Sequence, residues 1–342
     1  MTDRQTDSVM TDPQRGARRR LLSGMQPSGR LHLGNWLGAL KNWRRLQDQY
    51  DCFFFVADWH ALSTNYADTS SIRSHTEEMV LDWLSAGLDP QRSTLFVQSR
   101  IPEHGALHVI LSMITPIPWL ERNPTYKEKQ EELRERDLTT YGFLGYPVLQ
   151  AADILLYQPQ AVPVGVDQLP HLELCREIAR RFNYLYTRVF PEPEALLSEA
   201  PKVPGTDGRK MSKSYNNAIY LSDTEPTVRE KLRTMVTDPA RVKRTDKGNP
   251  DVCPVFSLHQ SLSPKPVIDQ VNRECRTAEI GCIDCKKLLA NHLVSELTPL
   301  WEKRKEIERH PQQIESIIGQ GCAKAQSVAR ETLQQTYNAI GL

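Results

Sequence analysis

The sequence holds no apolar run near the roughly 18–20 residues that a membrane-spanning helix needs, so a helical membrane protein is excluded. Net charge is almost absent: 43 basic against 42 acidic side chains leave +1. Any surface for nucleic acid must therefore come from local arrangement, not bulk charge. The first twenty residues, MTDRQTDSVMTDPQRGARRR, lack the apolar core of a secretory signal. Residues 1–18 read as a loose polar tail on a cytoplasmic protein. Seven cysteines in such a chain read as thiols or metal ligands, not disulfides. What is there is globular: 342 residues, 39% hydrophobic and 25% charged, enough for two ordinary domains or one large α/β domain with an appendage.

Four short apolar runs bounded by turn residues read as buried parallel strands: Arg20–Ser23, Phe53–Asp58, Leu95–Gln98 and Val162–Val166. Helical periodicity fills the gaps. Gly34–Leu46 carries Leu37, Leu40 and Trp43, and Ser71–Leu84 carries Ile72, Met79, Val80 and Trp83. Strand alternating with helix predicts a parallel sheet covered on both faces. The long gap before the fourth strand holds helical sequence at His104–Leu120 and Tyr126–Asp137, a helical insertion at about 100–140. Strand runs end near residue 220. Glu225–Pro254 is polar and basic, and two helical stripes then close the chain, with Pro299 expected to kink or break the first.

In an open parallel sheet ligands sit beyond the carboxyl ends of the strands. After the first strand comes SGMQPSG and then His32-Leu33-Gly34-Asn35 opening a helix, a turn and N-terminus suited to phosphate. Neither the Walker nor the dinucleotide fingerprint is present. His32 can donate to a phosphate oxygen, and Gly34 lets a flat base or ribose approach the backbone. After the second strand comes Asp58-Trp59-His60, and after the fourth Gly165-Val166-Asp167-Gln168. Val203–Ser214 reads VPGTDGRKMSKS, a glycine-hinged loop ending in two lysines, Lys210 and Lys213, that can close over a triphosphate. On a helix starting near Pro147, Tyr146, Gln150 and Asp153 share one face. A carboxylate among Val, Leu, Ala and Ile needs a donor, such as an indole N–H or a phenol.

HLGN and KMSKS together resemble the signature pair of the class I aminoacyl-tRNA synthetases. The resemblance runs over nearly the whole chain after the tail. It implies an α/β fold: a Rossmann-like doubly wound parallel sheet over residues 19–220 with the helical insertion, and a helical C-terminal domain over 221–342 that binds the tRNA anticodon. The runs GMQPSGRLHLGN, VADWHALS, LQAADILLY, VPVGVDQ and KMSKS look like the bacterial tryptophanyl branch. That likeness implies tryptophan activation by Mg–ATP, transfer to tRNA(Trp), and a homodimer with its interface near the insertion. It makes Asp153 the acceptor for the indole N–H, and sets Tyr146 and Gln168 at the substrate ammonium. Gln150 packs near the indole and His60 borders the pocket. ATP contacts fall on Gln26, Pro27, Ser28, Gly34, Asn35, Gly165, Val166, Asp167, Lys210, Met211, Ser212, Lys213 and Ser214, with Val203 near the adenine. His32, Lys210 and Lys213 are the groups expected to stabilise the transition state at the α-phosphate. Two positions depart from the family's habit, which is Met at Gln150 and Glu at Val166.

Cys275-x6-Cys282-x2-Cys285, with Cys253 upstream, is a four-thiolate metal pattern. Sulfur ligands suit tetrahedral Zn2+ or an iron–sulfur cluster. The resemblance favours [4Fe–4S], with Zn2+ the alternative. Cys52, Cys175 and Cys322 read as small buried apolar residues. The basic stretch Arg229–Lys247 is a candidate for tRNA phosphates. Two other functions compete: a tyrosine–tRNA ligase, and a non-catalytic paralogue that senses tryptophan and binds RNA.

Overall fold

The computed structural model describes residues 18–124, 126–127, 138–197 and 203–342. Five parallel strands, β1 (Arg20–Met25), β2 (Asp51–Val56), β3 (Ser93–Val97), β4 (Ala161–Val164) and β5 (Glu194–Leu197), form one sheet of order β3-β2-β1-β4-β5. The α/β reading holds, and the order reverses between β1 and β4, which is where such sheets bind ligands. β5 was absent from the sequence reading. It has four residues, two of them exposed, and lies at the edge, so it carries no buried apolar run.

Strands β2 and β3 are buried almost throughout because helices cover both faces. Trp43 stacks on Phe54 at 4.5 Å with Trp83 edge-on to it, seating α1 (residues 33–46) and α3 (Ile72–Ser85) on one face. On the other, Tyr157 packs against Phe53 and Phe96. Helix α2 (Asp58–Asn65) follows β2. Between β3 and β4 lie α4 (Glu103–Ile114), α5 (Ile117–Glu121) and α6 (Tyr141–Tyr157). Thr115 and Pro116 split the single helix expected over 104–120, since the residue before a proline is driven out of the α region; Thr115 has ψ 116°. The helix expected over 126–137 lies almost wholly outside the described residues.

Helix α6 begins six residues before Pro147, with Thr140 capping it from its side chain to the Phe143 N–H. Proline sits inside this helix because the buried faces on either side of it hold the chain helical. Pro299 is likewise inside an unbroken helix, so it does not mark a break. Tertiary packing of Leu293, Leu297 and Leu300 outweighs the one backbone bond it removes. After β4 come α7 (Leu169–Leu185), then α8 (Glu225–Thr234), α9 (Pro254–Leu262), α10 (Lys265–Thr277), α11 (Cys282–Glu308) and α12 (Gln312–Ile340). Helix α12 lies so close on edge strand β3 that a Cβ on Gly321 would meet the Leu95 carbonyl. The edge is thereby covered. No helix among the described residues is long and apolar enough to cross a membrane.

Candidate active site

The turn after β1 is built around Gly29, whose φ of 104° suits glycine. It delivers His32 to the N-cap of α1. His32 Nδ1 accepts the Gly34 N–H at 3.1 Å, and Asn35 Oδ1 accepts the His32 N–H at 3.0 Å, a reciprocal capping box. An accepting Nδ1 on a neutral ring puts the proton on Nε2. Burial, reinforced by the Lys213 ammonium, lowers the imidazole to about 4, so the ring is neutral near pH 7. His32 is thus a fixed, uncharged Nε2–H donor.

The loop over 203–214 folds back onto that helix start. Met211 pairs with Val203 through the backbone, and Val203 stands 4.0 Å from where a Gly34 Cβ would be. Lys213 Nζ donates to Ser28 Oγ at 3.1 Å and to the Gly29 carbonyl at 2.9 Å. Burial lowers this ammonium to about 8, with the Asp82 charge opposing the shift. Lys210, Ser214 and Val166 are exposed. Pro27 lies in the same turn, and Ser28 N–H closes it on the Gln26 carbonyl. The structure adds a residue the sequence reading missed. Asn217, 2% exposed, accepts the Ser212 N–H at 2.8 Å and donates to Asp207 Oδ1 at 2.7 Å and to the Lys210 carbonyl at 3.2 Å. It holds the loop's shape from within. The signal available in sequence was only an asparagine three residues past KMSKS.

Between β1 and β4 opens a cavity of about 350 Å³. Gln26, His60, Tyr146, Gln150, Asp153, Gly165 and Gln168 all line it, so the structure brings together the residues assigned to the amino acid, with Gln26 and Gly165 from the nucleotide set. Asp167 folds back beside Gly165 and accepts from Gln168 Nε2 at 3.0 Å. The part of α1 that wraps as a π turn, Trp36–Leu40, contributes Gly38 and Ala39 to the wall.

Asp153 is the buried anchor. Its Oδ2 accepts from His60 Nε2 at 2.7 Å, and its Oδ1 accepts from His104 Nδ1 and Gln98 Nε2, both at 2.7 Å. Since a carboxylate only accepts, His104 carries its proton on Nδ1, and its Nε2 accepts from Tyr157 Oη at 2.8 Å. Burial alone would raise the Asp153 carboxyl; the bonds from His104 and His60 outweigh it and bring it to about 2. A carboxylate has about four lone-pair sites, so three protein donors leave one on Oδ2. His104, Gln98 and Tyr157 escaped the sequence reading because nothing in their spacing links them to residue 153. Tyr146 Oη lies 3.2 Å from His171 Nε2.

The four cysteines come from three helix ends: Cys253 before α9, Cys275 in the last turn of α10, Cys282 and Cys285 in the first turn of α11. Burial raises Cys275 and pushes Cys285 up to about 12, with Cys253 and Cys282 adding repulsion to each, so the thiols lie within electrostatic reach of one another. As the side chains stand, no three His, Cys, Asp or Glu among the described residues form a ready metal site. Arg241 Nη1 faces Cys275 Sγ at 3.6 Å, while its Nε is a buried donor with no partner among the described residues. A four-sulfur donor set with an orphaned cationic donor beside it fits an anionic metal centre. Of the basic stretch, Arg241 and Arg244 instead hold the carbonyls of Ile280, Ala278 and Glu279, and Lys231 pairs with Asp223. Arg241 is buried and Lys231 half-buried in these contacts, while Arg244 stays exposed. Lys243 and Lys247 are exposed.

The family model described as class I tRNA synthetases (W and Y) matches residues 14–298. The chain is 51% identical to the tryptophan–tRNA ligase of Thermotoga maritima, covering 94% of this chain and 99% of that one, and 42% identical to that of Aquifex aeolicus, covering 94% and 100%. The crystal structure of tryptophanyl-tRNA synthetase from Campylobacter jejuni complexed with ADP and tryptophan superposes with a TM-score of 0.84. It is 34% identical, over 94% of this chain and 100% of that one. The chain therefore belongs to the class I tRNA synthetases, in the family that serves tryptophan and tyrosine. Within that family its activity is that of a bacterial tryptophan–tRNA ligase.

Proposed function

We propose that L-tryptophan occupies the cavity at the β1–β4 switch point with its indole N–H on the free lone pair of Asp153 Oδ2. The supporting observation is that this carboxylate, ionised and fixed by three protein donors, lines the cavity together with Trp43, Phe55 and Ile154. A phenylalanine side chain cannot fill that acceptor, and an unfilled buried acceptor rejects such analogues. Tyr146 and Gln168 hold the ammonium end, and Gln150 and His60 complete the wall. Mg–ATP lies over the helix start, with Gly34, Val203 and Met211 at its flat adenine, Gly165, Val166 and Asp167 toward the ribose, and Gln26, Pro27, Ser28, Asn35, Ser212 and Ser214 completing the contacts. The tryptophan carboxylate attacks the α-phosphorus and pyrophosphate leaves. The terminal ribose hydroxyl of tRNA(Trp) then attacks the adenylate carbonyl and AMP leaves. His32 Nε2–H, Lys210 and Lys213 stabilise charge on the phosphates; no protein nucleophile is needed.

Residues 19–220 serve as the catalytic domain and 221–342 as the anticodon-binding domain, on a chain that works in the cytoplasm. Exposed Val109, Met113 and Ile117 on α4 and α5 give a second copy an apolar face, supporting a homodimer through the insertion. Cys253, Cys275, Cys282 and Cys285 would hold a [4Fe–4S] cluster, or Zn2+ in its place, pinning the ends of α9, α10 and α11. The deciding experiment is ATP–pyrophosphate exchange on anaerobically purified protein with each amino acid offered separately. Exchange with tryptophan alone is the expected outcome; exchange with tyrosine would overturn the Asp153 assignment.

A further inference from the structure

The turn segment carrying His32 and the segment that follows the Lys213 loop are joined at one short antiparallel junction. Leu33 N–H donates to the Ile219 carbonyl and Leu221 N–H to the Leu31 carbonyl, both at 2.9 Å, with His32 and Tyr220 paired between them. The two remaining handles, the Leu221 carbonyl and the Leu31 N–H, run to α11 and to a residue that α11 holds. Trp301 Nε1–H donates to the Leu221 carbonyl at 2.8 Å. Arg304, one turn on, donates to Asp82 Oδ1 at 2.6 Å and to Glu78 at 2.8 Å, and Asp82 Oδ2 in turn accepts the Leu31 N–H at 3.2 Å.

Asp82 is 2% exposed and Arg304 is largely covered, so this ion pair is not a solvated surface contact. The Asp82 charge also favours the ammonium of Lys213. One helix thus grips the junction of the two signature motifs from both sides. The same helix starts at Cys282 and Cys285.

We infer that Trp301 and Arg304 are positioning residues for the nucleotide site: α11 clamps the His32–Lys213 junction through the Leu221 carbonyl and through Asp82. Nucleotide geometry then depends on how the C-terminal helices are docked. This rests on the assignment of His32 and Lys213 to the ATP phosphates.

The test compares Arg304→Met, Arg304→Lys and Trp301→Phe in ATP–pyrophosphate exchange, beside tryptophan titration without ATP. Losing this buried charged hydrogen bond in Arg304→Met should raise the KM for ATP by about 10-fold. Tryptophan affinity should stay within about twofold, and Arg304→Lys should restore part of the loss. Trp301→Phe keeps a six-membered aromatic ring and deletes the pyrrole edge with its hydrogen bond, so it reads the clamp's other arm even where Arg304→Met does not fold; a raised KM for ATP is expected again. Unchanged ATP kinetics in Trp301→Phe, or an equal loss of tryptophan and ATP binding, would overturn the clamp. Unchanged exchange in Lys213→Ala would instead overturn the phosphate assignment on which it stands.

Discussion

Lys213 and Gly29 are 184 residues apart in the chain and in contact: the Lys213 Nζ donates to the Gly29 carbonyl at 2.9 Å and to the neighbouring Ser28 hydroxyl. A basic loop and a glycine-rich turn thereby become one surface, the one proposed to face the ATP phosphates. Lys213→Ala should lower the exchange rate about 10²- to 10³-fold, the loss typical of removing one preorganised charge donor, while tryptophan titration is unmoved.

The same lysine sets a pH dependence. Burial lowers its ammonium to about 8, so the charged form prevails below that pH and is lost as pH rises through it. kcat/KM for ATP reports the free enzyme and should fall on the alkaline side near pH 8. In Lys213→Arg, whose guanidinium stays charged, that limb should disappear.

His32 combines a cap with a donor, and the two can be separated. Asparagine is a good N-cap, so His32→Asn keeps the bond from the Gly34 N–H but lacks the Nε2–H. Melting temperature should hardly move while exchange falls about 10²-fold. With the imidazole lowered to about 4, the wild-type profile should show no acid limb near 6.5 from this ring.

Asp153→Ala should weaken tryptophan binding by about 10- to 100-fold through the lost charged hydrogen bond, measured by titration without ATP. The folded carboxyl lies at about 2 against an ordinary 3.8. A depressed carboxylate contributes stability that is full above its unfolded value and lost as pH falls toward the folded one. Acid unfolding of the wild type should therefore include a component between about pH 4 and 2 that Asp153→Ala lacks.

Iron, sulfide and zinc analysis of anaerobically purified protein should find iron and acid-labile sulfide in equal amounts. Cys285→Ser should lose them and lower the melting temperature. Zinc alone would move the assignment to the alternative ion.

Gly321→Ala places a methyl group against the Leu95 carbonyl. Overpacking against backbone should cost ~3 kcal/mol, read in denaturant unfolding, because neither α12 nor β3 can step aside cheaply.

Strands β1 to β4 were legible because each carries a short buried apolar run, and the His32 turn, His60 and Gly165–Gln168 because they follow strand ends. β5 was not legible, since EALL at a sheet edge has no burial pattern to display. The expected helix start at Pro147 was misplaced for a related reason. Local proline rules describe a free chain, whereas Thr140 caps the helix and packing carries it through the proline.

The sequence alone determined the chemistry on offer: a histidine at a helix start, two loop lysines, an acid among apolar residues, four spaced thiols. Each is a local pattern that residue type and spacing can express. Only the tertiary structure decided which donors hold Asp153 ionised, that Asn217 shapes the loop, that Arg241 faces Cys275 and not the solvent, and that Arg304 reaches Asp82 over 222 residues. Those pairings depend on which faces meet when the helices dock, and separation along the chain carries no record of it.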